Sequence, residues 1–170
     1  SDRSLDIMSL DPPFIPELAE PGFLAPVPDD LQNTDGVVQG AVQSASWNGE
    51  LVTVPFWANT QLLWYRKSVA EAAGLDMSQP VTWDQIMQAA EDQNKQLGVQ
   101  GALAESLTVW INALVASGGG QILENPDAKP DEMQLGLESD AGRKAADIIG
   151  RIGSSGLGGP GLPTADENAS

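Results

Sequence analysis

The sequence predicts an α/β fold, and two observations carry that expectation. Short apolar runs bounded by turn residues fill the first half, and stretches with a helical apolar period fill the second. Strands alternating with helices pack as α/β layers. The length of 170 residues allows one domain or two small lobes, and the 41% of hydrophobic residues is enough for a core.

Taken in order, Leu5-Asp6-Ile7-Met8-Ser9-Leu10 reads as a short buried strand. Asp11-Pro12-Pro13 ends it, because a residue before proline resists the helical conformation. Asp11 is therefore expected at the strand's C-terminal end. Residues Ile15 to Leu24 read as a short helix closed by Gly22, and Val37 to Val42 as one or two helical turns. Trp47-Asn48-Gly49-Glu50 sets Asn-Gly between apolar flanks, a strong hairpin signal, with Leu51 to Pro55 as the second strand. Phe56-Trp57-Ala58-Asn59-Thr60 is a kinked connector into a further strand, Gln61 to Tyr65.

The second half reads as mostly helical. Ser68 to Ala73 is one short helix, ended by Gly74. Thr82 caps a longer one, Trp83 to Leu97, ended by Gly98, with Trp83, Ile86, Met87, Ala90 and Leu97 on one face. Val99 to Leu103 reads as a strand. Leu107 to Ala116 is a buried helix stopped by Ser117-Gly118-Gly119-Gly120. Met133 to Leu135 is a short strand, and Ser139 caps an amphipathic helix running to Ile152. Residues 156–163 are too rich in Gly and Pro for regular structure. No internal repeat is visible. Neither end resembles a natural terminus, so the chain is expected to be an internal piece of a longer protein.

Composition excludes several chemistries. The chain has no Cys and no His, which removes zinc fingers, iron–sulfur ligation, a thiol nucleophile and a Ser-His-Asp triad. The net charge of −16 repels a nucleic-acid backbone or an anionic membrane. No apolar run is long enough to span a bilayer. No phosphate-binding glycine motif is present, and Asp166-Glu167-Asn168 lacks the loop pattern of a cation site, so no cofactor and no metal is expected.

Asp11, Glu50 and Glu105 are the carboxylates that a glycosidase would need as a pair, but acidic residues are scattered along the whole chain, so catalysis is not expected. Five of the nine aromatics are Trp. Indole faces stack on the C–H faces of sugar rings, while carboxylates and amides bond the hydroxyls. Trp57, two residues before Asn59, is the candidate for that role; Trp64, Trp83 and Trp110 are expected in the core.

These residues also carry a resemblance. Asp6 to Asp11 looks like the strand of extracellular solute-binding proteins that ends in a ligand-contacting aspartate. Trp47 to Pro55 resembles their hairpin [YW]-N-G-K-L-x-x-x-P, and Asn59 to Tyr65, followed by Arg66-Lys67, resembles the crossover strand. Pro80 to Ile86 resembles P-x-T-W-E-E-[LIF], Leu107 to Gly120 the helix ending in GG, and Ser139 to Ala145 the N-x-x-x-A-x-x-A-L helix. Any one match is unspecific, whereas the ordered set is similar to the family 1 carbohydrate-binding proteins of ABC importers, the maltose-binding-protein group. LDIMSLD and NTQLLWYR look closest to actinobacterial trehalose- or maltose-type binding lipoproteins.

The resemblance implies part of a two-lobe, type II periplasmic-binding-protein-like fold, incomplete at both ends. Residues 1–60 would belong to the first lobe, 61–66 to a crossover strand and 67–170 to the second. It implies a monomer, extracellular or periplasmic and held at the cell envelope, that binds a sugar and hands it to the membrane permease of an ABC importer. Ligand contacts carry over to Asp11, to Asn59 (where the maltose proteins have a carboxylate), and to Glu105 before the buried helix, with Trp57 stacking nearby. The alternatives are a carboxylate-dependent glycoside hydrolase or a binder of another solute such as glycerol phosphate. The scarcity of Lys and Arg near these positions disfavours a phosphate.

Overall fold

The computed structural model describes residues 7–126, 128 and 131–166. The chain divides into two compact units, Ser1–Thr60 and Gln61–Ser170.

Unit 1 is built from a few short elements. A 3-10 turn, Pro12–Phe14, leads into α1, Ile15–Ala19. Two bonds close α1, Gly22 N–H to the Ala19 carbonyl and Phe23 N–H to the Leu18 carbonyl, both 2.9 Å. After a second 3-10 turn, Asp29–Leu31, come α2, Gln39–Ser44, and a hairpin of β1, Ser46–Trp47, and β2, Glu50–Leu51. Asn48 and Gly49 both have positive φ, 50° and 84°, as a two-residue hairpin turn of the I′ kind demands. The Ala45 carbonyl accepts from Val52 N–H at 3.1 Å and Thr53 N–H at 3.2 Å, and Val27 N–H reaches the Leu51 carbonyl at 2.7 Å. Ile15, Ala45 and Leu51 are the buried apolar residues, and the Trp47 indole N–H donates to Glu20 at 3.1 Å.

Unit 2 holds the main core. Its helices are α3, Lys67–Ala72, α4, Trp83–Asp92, α5, Glu105–Ser117, and α6, Asp140–Ser155. Met87, Ala90, Trp110, Leu114, Val115, Ala145 and Ile152 pack together, with Trp83 and Leu107 partly buried against them. Thr82 caps α4 as expected: its hydroxyl accepts from Gln85 N–H at 3.2 Å, and the Gln85 side chain accepts from Thr82 N–H at 2.8 Å. Ser139 caps α6 by accepting from Gly142 N–H at 3.2 Å. Arg151 of α6 pairs with Asp84 of α4, and that bond raises the Arg151 pKa further above its ordinary value.

Several expected elements differ. Helix α4 stops at Asp92, not Leu97. Asn94 takes a φ of 50° and Lys95 N–H bonds the Ala90 carbonyl at 2.8 Å, so Asn94, the commonest left-handed residue after Gly, ends the helix ahead of Gly98. Residues 7–10, 52–55, 61–65 and 99–103 form no strand, and positions 5 and 6 of the first run lie outside the described residues. A strand exists only where a second backbone lies alongside it, and no described residue supplies one here. Met133 to Leu135 forms a single bridge, Leu123 with Leu135. Trp64, expected in the core, is 87% exposed, because its segment has no partner to fold against.

Two predictions follow from the helices. An ideal Cβ on buried Gly142 would run into the Leu137 carbonyl oxygen, whereas one on exposed Gly153 meets nothing within 4 Å. Gly142→Ala is expected to destabilise by about 1–3 kcal/mol and Gly153→Ala to stabilise by about 0.5–1 kcal/mol, read from urea unfolding. The second concerns acid. The Ser78 hydroxyl and N–H hold Asp76 below its ordinary value of 3.8, and the hydrogen bond and charge of Arg143 do the same for Asp140. A lowered folded pKa stabilises above the unfolded value and stops doing so as pH falls through the folded one. Unfolding midpoints should therefore drop below about pH 4, and less steeply in the D76N/D140N double variant.

Candidate functional site

Asp11 stands just before the Pro12–Phe14 turn with extended backbone, φ −74° and ψ 142°. Its carbonyl accepts from Phe14 N–H at 3.0 Å, but its carboxylate makes no cap bond. The cause is the sequence: Pro12 and Pro13 have no N–H to offer, so the side chain that would ordinarily cap the turn finds no donor there. An exposed carboxylate is left uncommitted.

Pro55 likewise starts a stretch without backbone hydrogen bonds. Trp57 within it is 73% exposed, its ring tilted 39° to that of Phe56 with centroids 5.5 Å apart. Asn59 is exposed. Unit 1 thus presents an aromatic face, an amide and a carboxylate to solvent. Among the described residues, no hydrogen bond or ring contact joins Asp11 to Trp57 or Asn59.

In unit 2, Glu105 is the exposed first residue of α5. The residue before it, Ala104, has no side-chain oxygen to cap the helix, so the N–H groups of the first turn have no side-chain acceptor. Beside Glu105, Ser106 is only 4% exposed and its hydroxyl has no partner; the buried Oε1 of Gln100 has none either. Buried polar atoms are ordinarily satisfied. The sequence reading missed both residues, because Ser and Gln in a loop-to-helix joint carry no sign of burial.

A separate apolar cleft of about 410 Å³ lies in unit 2, between residues 63–66, α3, α4 and residues 95–99, with Trp64, Tyr65 and Trp83 in its wall. None of Asp11, Trp57, Asn59 and Glu105 lines it. Among the described residues, no group of three acidic side chains is placed to hold a metal, and no helix is long and apolar enough to cross a membrane.

The family model for bacterial extracellular solute-binding proteins matches residues 1–152. The chain belongs to that family. Its fold is similar to that of a solved structure, the crystal structure of an ABC transporter solute-binding protein from Thermotoga lettingae TMO bound with alpha-D-tagatose. The TM-score is 0.64 at 21% identity, covering 91% of this chain and 41% of that one. This solute-binding protein chain therefore carries part of the α/β fold of the family and spans about two fifths of that relative's length.

The two kinds of tryptophan give a test of site against core. Trp57→Ala should leave the urea midpoint of the solute-binding protein unchanged, since the ring is exposed. Trp110→Ala, whose ring is 6% exposed, should cost about 3–5 kcal/mol.

Proposed function

We propose that the protein binds a sugar outside the cytoplasm and delivers it to the permease of an ABC importer. The observation that carries this reading is the family match over residues 1–152, together with a carboxylate at Asp11 that the fold leaves free to accept hydroxyl hydrogen bonds. In this reading residues 1–60 belong to the first lobe, 61–66 to the crossover and 67–170 to the second. Asp11 accepts from vicinal hydroxyls, in bonds roughly twice as strong as neutral ones. The Asn59 amide donates and accepts. Trp57 offers its face to the C–H side of a pyranose. Glu105 accepts further hydroxyl bonds at the start of α5.

The finer reading is a disaccharide of the trehalose or maltose type, supported by LDIMSLD and NTQLLWYR. The protein acts as a monomer at the cell envelope, and its ligand leaves chemically intact. Binding favours the conformation in which more of these contacts are made, which is what couples capture to delivery.

The test is Asp11→Ala in the full-length gene product, with sugar binding read by titration calorimetry. Loss of a charged hydrogen bond of about 1.5–3 kcal/mol predicts an affinity roughly 10- to 100-fold weaker. The melting temperature should not move, because the carboxylate bonds nothing in the fold. A variant that binds as tightly as the wild type shows that Asp11 is not a contact. Recovery of hydrolysed sugar would instead indicate a glycosidase.

A further inference from the structure

The distribution of cations says more about the ligand than the net charge does. From Ser4 to Tyr65 there is no Lys or Arg, against eight Asp and Glu. From Gln96 to Ala128 there is again none. Asp11, Trp57 and Asn59 lie in the first of these stretches and Glu105 in the second. Nor do the cations elsewhere in unit 2 stand uncommitted as a group: Lys67 pairs with Glu71, Arg143 with Asp140, and Arg151 with Asp84 and Asp147. Arg66 and Lys95 face the apolar cleft, which none of the four site residues lines.

A carboxylate or phosphate on a ligand is ordinarily met by Arg, Lys or the open N-terminus of a helix. Here the nearest helix start, that of α5, already carries Glu105 in its first position. Among the described residues neither Asp11 nor Glu105 is neutralised by an ion pair. An anionic ligand would therefore be drawn out of water with no countercharge and with like charge beside it. A neutral polyol meets acceptors for its hydroxyls, and a protonated amine meets the same acceptors with an added attraction.

Resting on the function proposed above, we propose that the ligand class is uncharged or amine-bearing sugars, and that sugar acids and sugar phosphates are rejected electrostatically. This makes selectivity a property of where the sequence omits Lys and Arg. It also gives selectivity a signature that steric fit lacks, since like-charge repulsion between solvated groups is screened by salt.

The experiment uses the full-length gene product. A thermal-shift panel of neutral mono- and disaccharides first identifies a binder. Calorimetry then compares that sugar with its 6-amino, 6-carboxylate and 6-phosphate derivatives in low salt and in about 0.5 M salt, where screening is short-ranged. The expected result is that both anions bind at least about tenfold more weakly than the amine in low salt, and that salt narrows this gap. Anions binding as well as the amine would overturn the proposal, and so would a gap that salt leaves unchanged. Failure of every neutral sugar to bind would instead remove the function on which the proposal rests.

Discussion

The packing of α6 against α5 is the contact on which unit 2 depends. Ile152 and Val115 are both completely buried, and Met87 brings α4 into the same cluster. The two helices can meet closely because α5 ends in glycines: a Cβ on Gly120 would lie 2.6 Å from that of Ala141, too close for any side chain. The rest of the unit is tied to this pair. Leu97 N–H bonds the Leu157 carbonyl and Ala102 N–H the Ala165 carbonyl, both at 2.9 Å, so the segment leading to Glu105 is anchored to the segment that follows α6. The start of α5 is thus held from behind by its own buried residues and from before by the Ala102 bond. A contact residue placed there is positioned by a core, not by a loop.

Unit 1 positions its candidates differently. Its buried set is small, and the segment carrying Trp57 and Asn59 has neither backbone partners nor a packed face. What shapes it is proline. Pro55 fixes one backbone angle and removes a donor, as Pro12 and Pro13 do after Asp11. Proline thereby leaves polar side chains available at both places, by denying them the local N–H groups they would otherwise bond. The same device that prevents regular structure keeps Asp11 free.

Local chemistry was legible in the sequence, and non-local pairing was not. The Asn48-Gly49 turn, the Thr82 and Ser139 caps and the glycine stop after α5 all follow from residues within four positions of one another, and all appear. The expected strands do not, because strand formation depends on a partner that no local pattern reveals. Asn94 outcompeted Gly98 because the chain must turn early enough for Leu97 to reach Leu157. For the candidate site, the identities of Asp11, Trp57, Asn59 and Glu105 were readable. The buried, unpartnered state of Ser106 was not, since burial is decided by tertiary packing alone.

Tryptophan shows how far residue type underdetermines role. Trp110 repeats with Leu114 and Val115 on a helical period and is buried, and Trp83 at the start of α4 is partly so. Trp57 and Trp64 lie outside any periodic element, and both stay exposed. Burying a large apolar side chain is worth roughly 1.5–3 kcal/mol, so two exposed indoles represent stabilisation that the described fold does not use. An uncovered ring beside an amide, in a chain whose free carboxylate sits at a Pro-Pro turn, combines the two surfaces that a pyranose presents: a C–H face and a ring of hydroxyls. A general apolar patch would need neither amide nor carboxylate, and a general acidic patch would need no ring. The conjunction is what makes a sugar the better-matched solute for this member of the solute-binding family.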